Sequence, residues 1–286
     1  MPVRCEFGFG RKALGAVSNR QISDEPILAR RIEAGVLRLT LNNPARRNSL
    51  SEAMMASLQE ALDQASEDRG VRVIVIDANG PAFCAGHDLK ELTEGRKADD
   101  RGRAYFTGIM RQCATLMQTI VMHPRPIIAE VRGIATAAGC QLVASCDLAI
   151  ASRQARFATP GVNIGLFCST PMVALSRNVS RKHAMELLLT GDFASAQRAA
   201  EIGLINQAVD EAELGPAVEA LVAKLASKSL MTLKTGKQAF YRQADMALPE
   251  AYAYTADIMI ENMLKHDAEE GVGAFLEKRE PQWRDE

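Results

Sequence analysis

The sequence has no C-x-x-C pair among its six cysteines (Cys5, Cys84, Cys113, Cys140, Cys146, Cys168), which argues against a zinc ribbon or a thioredoxin-type redox site. Its four histidines (His87, His123, His183, His266) are far apart and none forms H-E-x-x-H, so no metal site is expected. It also lacks an excess of either charge. With 34 Lys and Arg against 35 Asp and Glu the net charge is -1, which argues against a broad nucleic-acid surface and a polybasic membrane face. A small cationic pocket for one anionic ligand stays possible. The first 22 residues lack the apolar run of a secretory signal and carry Arg4, Glu6, Arg11, Lys12 and Arg20. Residues 1–29 are expected to form a disordered extension, with a weak organellar presequence as the alternative. The location is then cytoplasmic by default, or mitochondrial if that segment acts as a presequence. The most apolar stretch lies between Arg132 and Arg153, where only Asp147 is charged. Gly139, Gln141 and Ser145 inside it would be costly in lipid, so it reads as buried core rather than a membrane span.

What the chain does have is core material. Its 286 residues, 47% hydrophobic and 24% charged, suit one large domain or one domain with a small appendage. Val36, Leu37, Leu39 and Leu41 mark a strand that Asn42-Asn43-Pro44 ends. Ser49 is placed to cap a helix, with Glu52 three residues on and Met54, Met55, Leu58, Ala61, Leu62 and Ala65 at helical spacing. Val71 to Ile76 reads as a buried strand, 94–104 as a mobile charged loop, 105–122 as a helix, and 127–131 and 148–151 as further strands, with a short piece around Phe157. Beyond about residue 170 the pattern is helical: 181–190, 195–202, 211–227, 231–243, 249–265 and 270–277. The class is α/β, with a core over 30–220 and a helical part over 221–286. The G-x-G-x-x-A match at Gly8 to Ala13 has no hydrophobic strand before it and is rejected as a dinucleotide fingerprint.

Two segments share an unusual design. Ala82 to Lys90 and Arg132 to Gln141 each lead from a strand or turn through small residues into a helix. Small side chains let a ligand approach the main chain, and free N–H groups at a helix start can donate to an oxyanion. One N–H from each segment would make an oxyanion hole. The other reading, that glycine and alanine here only permit tight packing, stays open on spacing alone.

These segments resemble the crotonase superfamily, the enoyl-CoA hydratase/isomerase family. The resemblance runs through NPARRNSL (43–50), FCAGHDLKEL (83–92), PIIAEVRGIATAAGCQLVASCDLAIAS (126–152), RFATPGVNIGL (156–166), AMELLLTGDFASAQRAAEIGLINQAV (184–209) and GVGAFLEKREPQW (271–283), covering roughly residues 30–286. It implies a ClpP-like spiral of ββα units with a C-terminal helical trimerisation region, and a homotrimer or a dimer of trimers. It implies a CoA thioester as substrate or ligand and no other cofactor. It places the oxyanion hole at the backbone N–H groups of His87 and Ala138. It places CoA contacts at Arg47, Ala85 and Lys90 and, from a neighbouring subunit, at Phe275 and Lys278. A solvated surface charge is the plainer reading of each of these cations.

The departures from the family pattern bear on the reaction. Family hydratases use two glutamates, which fall here at Gln141 and Gly161. A glutamine amide can hydrogen-bond water but cannot exchange a proton near neutral pH, and glycine has no side chain. Ordinary hydration is expected to fall to a trace. Gln141→Glu with Gly161→Glu is expected to create measurable hydration if only the acid–base pair is missing. Other candidates are few. Cys140 and Cys168 read as nucleophiles or as inert buried thiols. The His87 imidazole reads as a base near neutrality or as a residue that tolerates the turn. Asp88 and Asp147 read as structural. Two hypotheses follow: an enzyme that stabilises a thioester enolate by a non-standard route, or a non-catalytic acyl-CoA-binding or regulatory protein.

Overall fold

A computed structural model describes residues 26–286. The presequence question, Cys5 and the rejected glycine motif lie outside those residues. Strand β1 (Leu28–Glu33) runs antiparallel to β2 (Val36–Leu41), so strand structure begins two residues before the expected boundary at 30. Along β2 the leucines at 37, 39 and 41 are buried in alternation, as a strand with one face inward requires. Helix α1 (Glu52–Glu67) is capped by Ser51, whose hydroxyl accepts from the Met54 N–H at 3.1 Å. The expected cap Ser49 instead points its hydroxyl at Asp88.

Then come β3 (Val73–Ala78), β4 (Ala82–Cys84), α2 (Leu89–Gly95), α3 (Arg103–Met122), β5 (Ile127–Val131), β6 (Ile134–Thr136), α4 (Ala138–Ser145), β7 (Leu148–Ser152) and β8 (Arg156–Ala158). Helix α2 takes the first residues of the stretch expected to be a loop. The remainder is α5 (Pro171–Asn178), α6 (Arg181–Thr190), β9 (Ala194–Ser195), α7 (Ala196–Glu201), β10 (Gln207–Val209), α8 (Glu211–Ala226), α9 (Leu230–Gln243), α10 (Leu248–Met263) and α11 (His266–Glu277). The two short strands β9 and β10 interrupt what the sequence presents as purely helical.

The strands form two sheets, ordered β1-β2-β3-β5-β7-β10 and β4-β6-β8-β9. Consecutive pairs β3/β4, β5/β6 and β7/β8 each give one strand to the large sheet and the next to the small one, and helices follow. This repeated ββα unit winds the chain into a spiral, the crotonase fold. The strands of the large sheet from β2 onward pair in parallel, and both faces are covered. Ile74 and Ile76 enter the main core, whereas Val73 and Val75 pack under Leu214, Val218 and Val222 of α8. A strand buried on both sides reads as an unbroken apolar run, which is why β3 is so plain in the sequence.

A polar anchor ties the helical C-terminal part to this core. The Lys237 ammonium on α9 donates to the Ile120 and Arg125 carbonyls at 3.1 Å and pairs with Asp147 at 2.7 Å. Asp147 also accepts from the Ile127 N–H and the Tyr241 hydroxyl, which is the structural role expected of it. By contrast α10 buries only Ala251. Among the described residues no helix is long and apolar enough to cross a membrane.

Candidate active site

Strands β4, β6 and β8 are parallel neighbours in the small sheet. The loops at their C-terminal ends carry His87, then Ala138 and Gln141, then Gly161. Three sites separated in sequence by tens of residues therefore open on one edge, the usual place for a ligand in a parallel sheet.

The first two loops are locked together. Leu50 donates its N–H to the Gly86 carbonyl at 2.8 Å, and Ala85 donates to the Arg47 carbonyl at 3.1 Å. The Thr136 hydroxyl donates to the Ala85 carbonyl at 3.2 Å, and Ala137 donates to the Ala158 carbonyl at 2.9 Å. Gly86, at φ 90°, comes so near the second loop that a Cβ there would lie 2.9 Å from Ala137 Cβ and 3.2 Å from Ala138 N. Gly139 leaves even less room, since a Cβ would lie 2.1 Å from the Cys84 carbonyl oxygen. Ala137 itself sits at φ 51°, ψ -120°, a backbone state unusual for anything but glycine. That turn starts α4 and leaves Ala138 at its first position, where an N–H has no helical acceptor. Neither the His87 nor the Ala138 N–H donates to any hydrogen bond among the described residues. Two free donors thus stand on loops in contact. The sequence pointed to both through its small residues, but gave no sign of the strained Ala137, because the strain belongs to a residue type that rarely accepts it.

Asp88 is the N-cap of α2. It accepts from the N–H groups of Lys90 at 2.9 Å and Glu91 at 3.4 Å, and pairs with Arg46 at 2.6 Å. Burial works to raise its pKa, but the Arg46 bond and the two amides prevail and hold it below the usual carboxylate range. Arg46 was missed in the sequence, where its neighbour Arg47 drew attention. Arg47 and Lys90 are exposed and, among the described residues, have no carboxylate partner; the Arg47 carbonyl accepts from Ala85 N–H. Phe275 and Lys278 lie at the end of α11, with Phe275 82% exposed.

The His87 ring places Nδ1 3.4 Å from the Leu50 carbonyl. A carbonyl only accepts, so Nδ1 carries the hydrogen and Nε2 the lone pair. Nε2 is buried without a partner, and burial pushes the imidazole pKa down, so the ring is neutral near pH 7. Gln141 follows Ala138 by three positions, on the same side of α4. It is 4% exposed, its side chain makes no hydrogen bond, and its Oε1 is buried without a partner.

The surroundings of Gly161 were not legible in the sequence. The turn Pro160–Ile164 is closed by Leu166 N–H donating to the Gly161 carbonyl at 2.9 Å. A Cβ at 161 would lie 2.6 Å from the Leu166 carbonyl oxygen and 2.9 Å from Cys168 Sγ. The chain has filled the side-chain position with its own backbone and a thiol. Restoring glutamate at 161 is therefore not a simple addition. The thiols are poor nucleophiles. Burial pushes Cys84 and Cys140 up to about 12 and Cys113 up to about 11, and raises Cys146 and Cys168 as well.

Two shallow surface clefts lie elsewhere. One of about 510 Å³ lies between α1 and α3, lined by residues such as Gln59 and Gln112, and one of about 580 Å³ lies near Arg96 and Phe106. Neither is lined by the paired amides.

Comparison with known proteins agrees with this architecture. The enoyl-CoA hydratase/isomerase family model matches residues 31–286. Human enoyl-CoA hydratase domain-containing protein 3, mitochondrial, is 46% identical over 267 residues, covering 93% of this chain and 86% of the relative. The crystal structure of that human protein superposes with TM-score 0.85 at 45% identity, covering 90% of this chain and 100% of the other. An enoyl-CoA hydratase structure from Mycobacterium smegmatis superposes with TM-score 0.86 at 51% identity, covering 91% and 99%.

Proposed function

The chain belongs to the enoyl-CoA hydratase/isomerase family, and from that membership we propose that it binds an acyl-CoA and stabilises the enolate of the thioester between the N–H groups of His87 and Ala138. The observation that carries this reading is a pair of unengaged amides on contacting loops at the ends of adjacent parallel strands. As the thioester carbonyl becomes an enolate its oxygen gains charge. Donors already fixed in place stabilise that charge without reorganising. Ala85, hydrogen-bonded to the Arg47 carbonyl, and the exposed cations Arg47 and Lys90 would receive the CoA, and those cations suit its phosphates.

Phe275 and Lys278 would complete the CoA site from a neighbouring copy in a homotrimer or a dimer of trimers. The apolar surface of α10 and α11 supports such an assembly: Tyr252 is 71% and Met263 67% exposed. A chain whose outer helices carry so much apolar surface has a reason to bury it. The human relative is mitochondrial by name. The cytoplasmic default finds no support among the relatives, and a mitochondrial address for this chain would rest on its first residues.

Ordinary hydration is not the reaction favoured here, because Gln141 and Gly161 supply no proton-transfer group. The same fact favours a second reading, a non-catalytic acyl-CoA-binding protein. Purified protein with crotonyl-CoA and longer 2-enoyl-CoAs separates the two. Turnover above the uncatalysed rate, abolished by changing His87, supports an enzyme. Tight binding without turnover on any thioester supports the binder. Failure to bind any acyl-CoA refutes both.

A further inference from the structure

We propose that residues 278–286 form a strap that aims the end of α11 at the nucleotide end of CoA in a neighbouring copy, which makes Arg279, Trp283 and Asp285 positioning residues; this rests on the acyl-CoA reading above. The need for a strap follows from burial. Helix α11 buries only Asp267 and Ala274, and α10 only Ala251. Core packing within the chain therefore gives this arm little orientation. Phe275 is 82% exposed and Lys278 is exposed too, so their own surroundings do not fix them.

Lys278 ends α11 at φ 57°, a left-handed turn from which the chain doubles back along its own helix. Arg279 donates from Nη1 at 2.6 Å and from Nη2 at 2.9 Å to the two carboxylate oxygens of Glu270, and from Nε at 2.6 Å to Glu277. A two-pronged bond of this kind fixes direction as well as distance. Glu270 also accepts from the Gln282 N–H at 2.7 Å. The Trp283 ring then covers Gly271, where a Cβ would lie 3.1 Å from it, and its indole N–H donates to the Ser227 carbonyl at 2.8 Å. Near the start of α11, Asp267 accepts from the N–H groups of Arg284 at 2.8 Å and Asp285 at 3.0 Å. Asp285 carries the strap into the core. Its carboxylate accepts from the Leu230 N–H at the start of α9 at 2.6 Å and pairs with Arg72 at 2.9 Å. Arg72, just before β3, donates in turn to the Ala226 and Lys228 carbonyls at 3.0 and 2.7 Å. One segment of chain thus ties both ends of α11 to the end of α8, the start of α9 and the large sheet.

The lever is long enough to matter. From Asp267 to Phe275 the helix rises about 12 Å, so a tilt of about 15° at its anchored end would carry Phe275 about 3 Å away. That is more than a charge-assisted hydrogen bond or a ring contact tolerates. An ammonium at 278 suits a phosphate and a ring at 275 suits the face of a base. Both groups belong to the nucleotide end of CoA, and neither belongs to the pantetheine thioester. Releasing the strap should therefore weaken the hold on the nucleotide and leave the thioester end as it was.

The test uses the purified full chain with butyryl-CoA and butyryl-pantetheine, each titrated by calorimetry. Trp283 is the only tryptophan of the chain, so quenching of its fluorescence by acrylamide reports whether the strap is seated. Arg279→Gln loosens one end of the strap and Asp285→Asn the other. Each is expected to raise quenching, to weaken butyryl-CoA about tenfold as two side chains lose their fixed positions, and to leave butyryl-pantetheine unchanged. Arg279→Lys keeps the charge but not the fork and should fall between Arg279→Gln and the parent chain. If one variant fails to fold, the other, at the opposite end of the strap, decides. Raised quenching with unchanged butyryl-CoA affinity overturns the proposal, and so does an equal loss for both ligands. Unchanged quenching in both variants overturns it too, because these bonds would then not hold the strap. A parent chain that binds the two thioesters equally well refutes the positioning role and leaves the acyl-CoA reading standing. A parent chain that binds neither removes that reading, and this proposal with it.

Discussion

Replacing Gly161 tests whether the missing second glutamate is an empty place or a filled one. A Cβ there would lie 2.6 Å from the Leu166 carbonyl oxygen, 2.9 Å from Cys168 Sγ and 3.3 Å from the Leu166 carbonyl carbon. Two of those atoms are main chain, and their segment is pinned by the Leu166 N–H to Gly161 carbonyl bond at 2.9 Å. It cannot step aside as a flexible side chain would. Gly161→Ala should therefore destabilise by about 1–3 kcal/mol, the usual penalty for overpacking. In a domain of this size that lowers Tm by roughly 2–10 °C. Gly161→Glu adds a carboxylate with no cation waiting for it and should be worse.

Three variants are needed: Gly161→Ala, Gln141→Glu, and Gln141→Glu with Gly161→Glu. Urea unfolding gives the stabilities, and loss of crotonyl-CoA absorbance gives hydration. The expected outcome is a destabilised Gly161→Ala chain and a double variant that hydrates crotonyl-CoA no faster than buffer. A Gly161→Ala chain as stable as the parent, or a folded double variant with clear hydratase turnover, refutes the reasoning. Either would mean that the 165–168 segment yields freely.

Other substitutions probe the frame around the site. Ala137→Gly should raise stability by about 1 kcal/mol, because glycine accepts φ 51° without the strain alanine stores there; thermal unfolding checks it. His123 is buried, with Nε2–H donating to the Leu62 carbonyl at 3.0 Å and Nδ1 accepting from the Arg125 N–H at 3.0 Å. Burial chiefly pushes its pKa down to about 4. The unfolded chain takes up a proton near pH 6.5 and the folded chain does not, so stability falls as pH drops from about 6.5 to about 4, by roughly 3 kcal/mol in all. Urea unfolding across that range should show the loss, and His123→Gln should flatten it. Lys237→Ala leaves Asp147 buried without its cation and should destabilise by about 3–5 kcal/mol, measured by urea unfolding.

Elements with a strong period were legible in the sequence, and elements defined by neighbours were not. Val73 to Ile76 and Ile127 to Ala129 are apolar because the sheet is covered on both faces, so they declare themselves as strands. The helices α6 and α8 to α11 show helical spacing and were found within a few residues. Strands β4, β6, β9 and β10 have two or three residues each, too few to carry a period, and exist only through pairing. The Ser49 cap looked sound on spacing, but Asp88, 39 residues away, claims its hydroxyl, and Ser51 caps in its place. The site divides in the same way. The small residues around Gly86 and Gly139 reveal a close approach of backbone. What a residue faces cannot be read from its identity, and so the filled space at Gly161 and the partnerless amide of Gln141 emerged only in three dimensions.

The division of labour in the site explains how acid–base residues can be lost while the rest endures. The amide pair belongs to the main chain. It is set by strand pairing between β4 and β6, by the contact of Gly86 with Ala137 and Ala138, and by hydrogen bonds linking Leu50, Ala85 and Thr136 to the same loops. No side chain at 141 or 161 takes part in those bonds. Exchanging glutamate for glutamine or glycine therefore removes proton transfer without disturbing the two donors. Substitution at Gly86 would do the reverse, forcing the loops apart and leaving any acid or base in place beside a disrupted cradle. On the proposed reading, such a scaffold keeps the amide pair as its constant and leaves the reaction to whichever neutral or charged groups surround it. In this chain the groups so placed are uncharged.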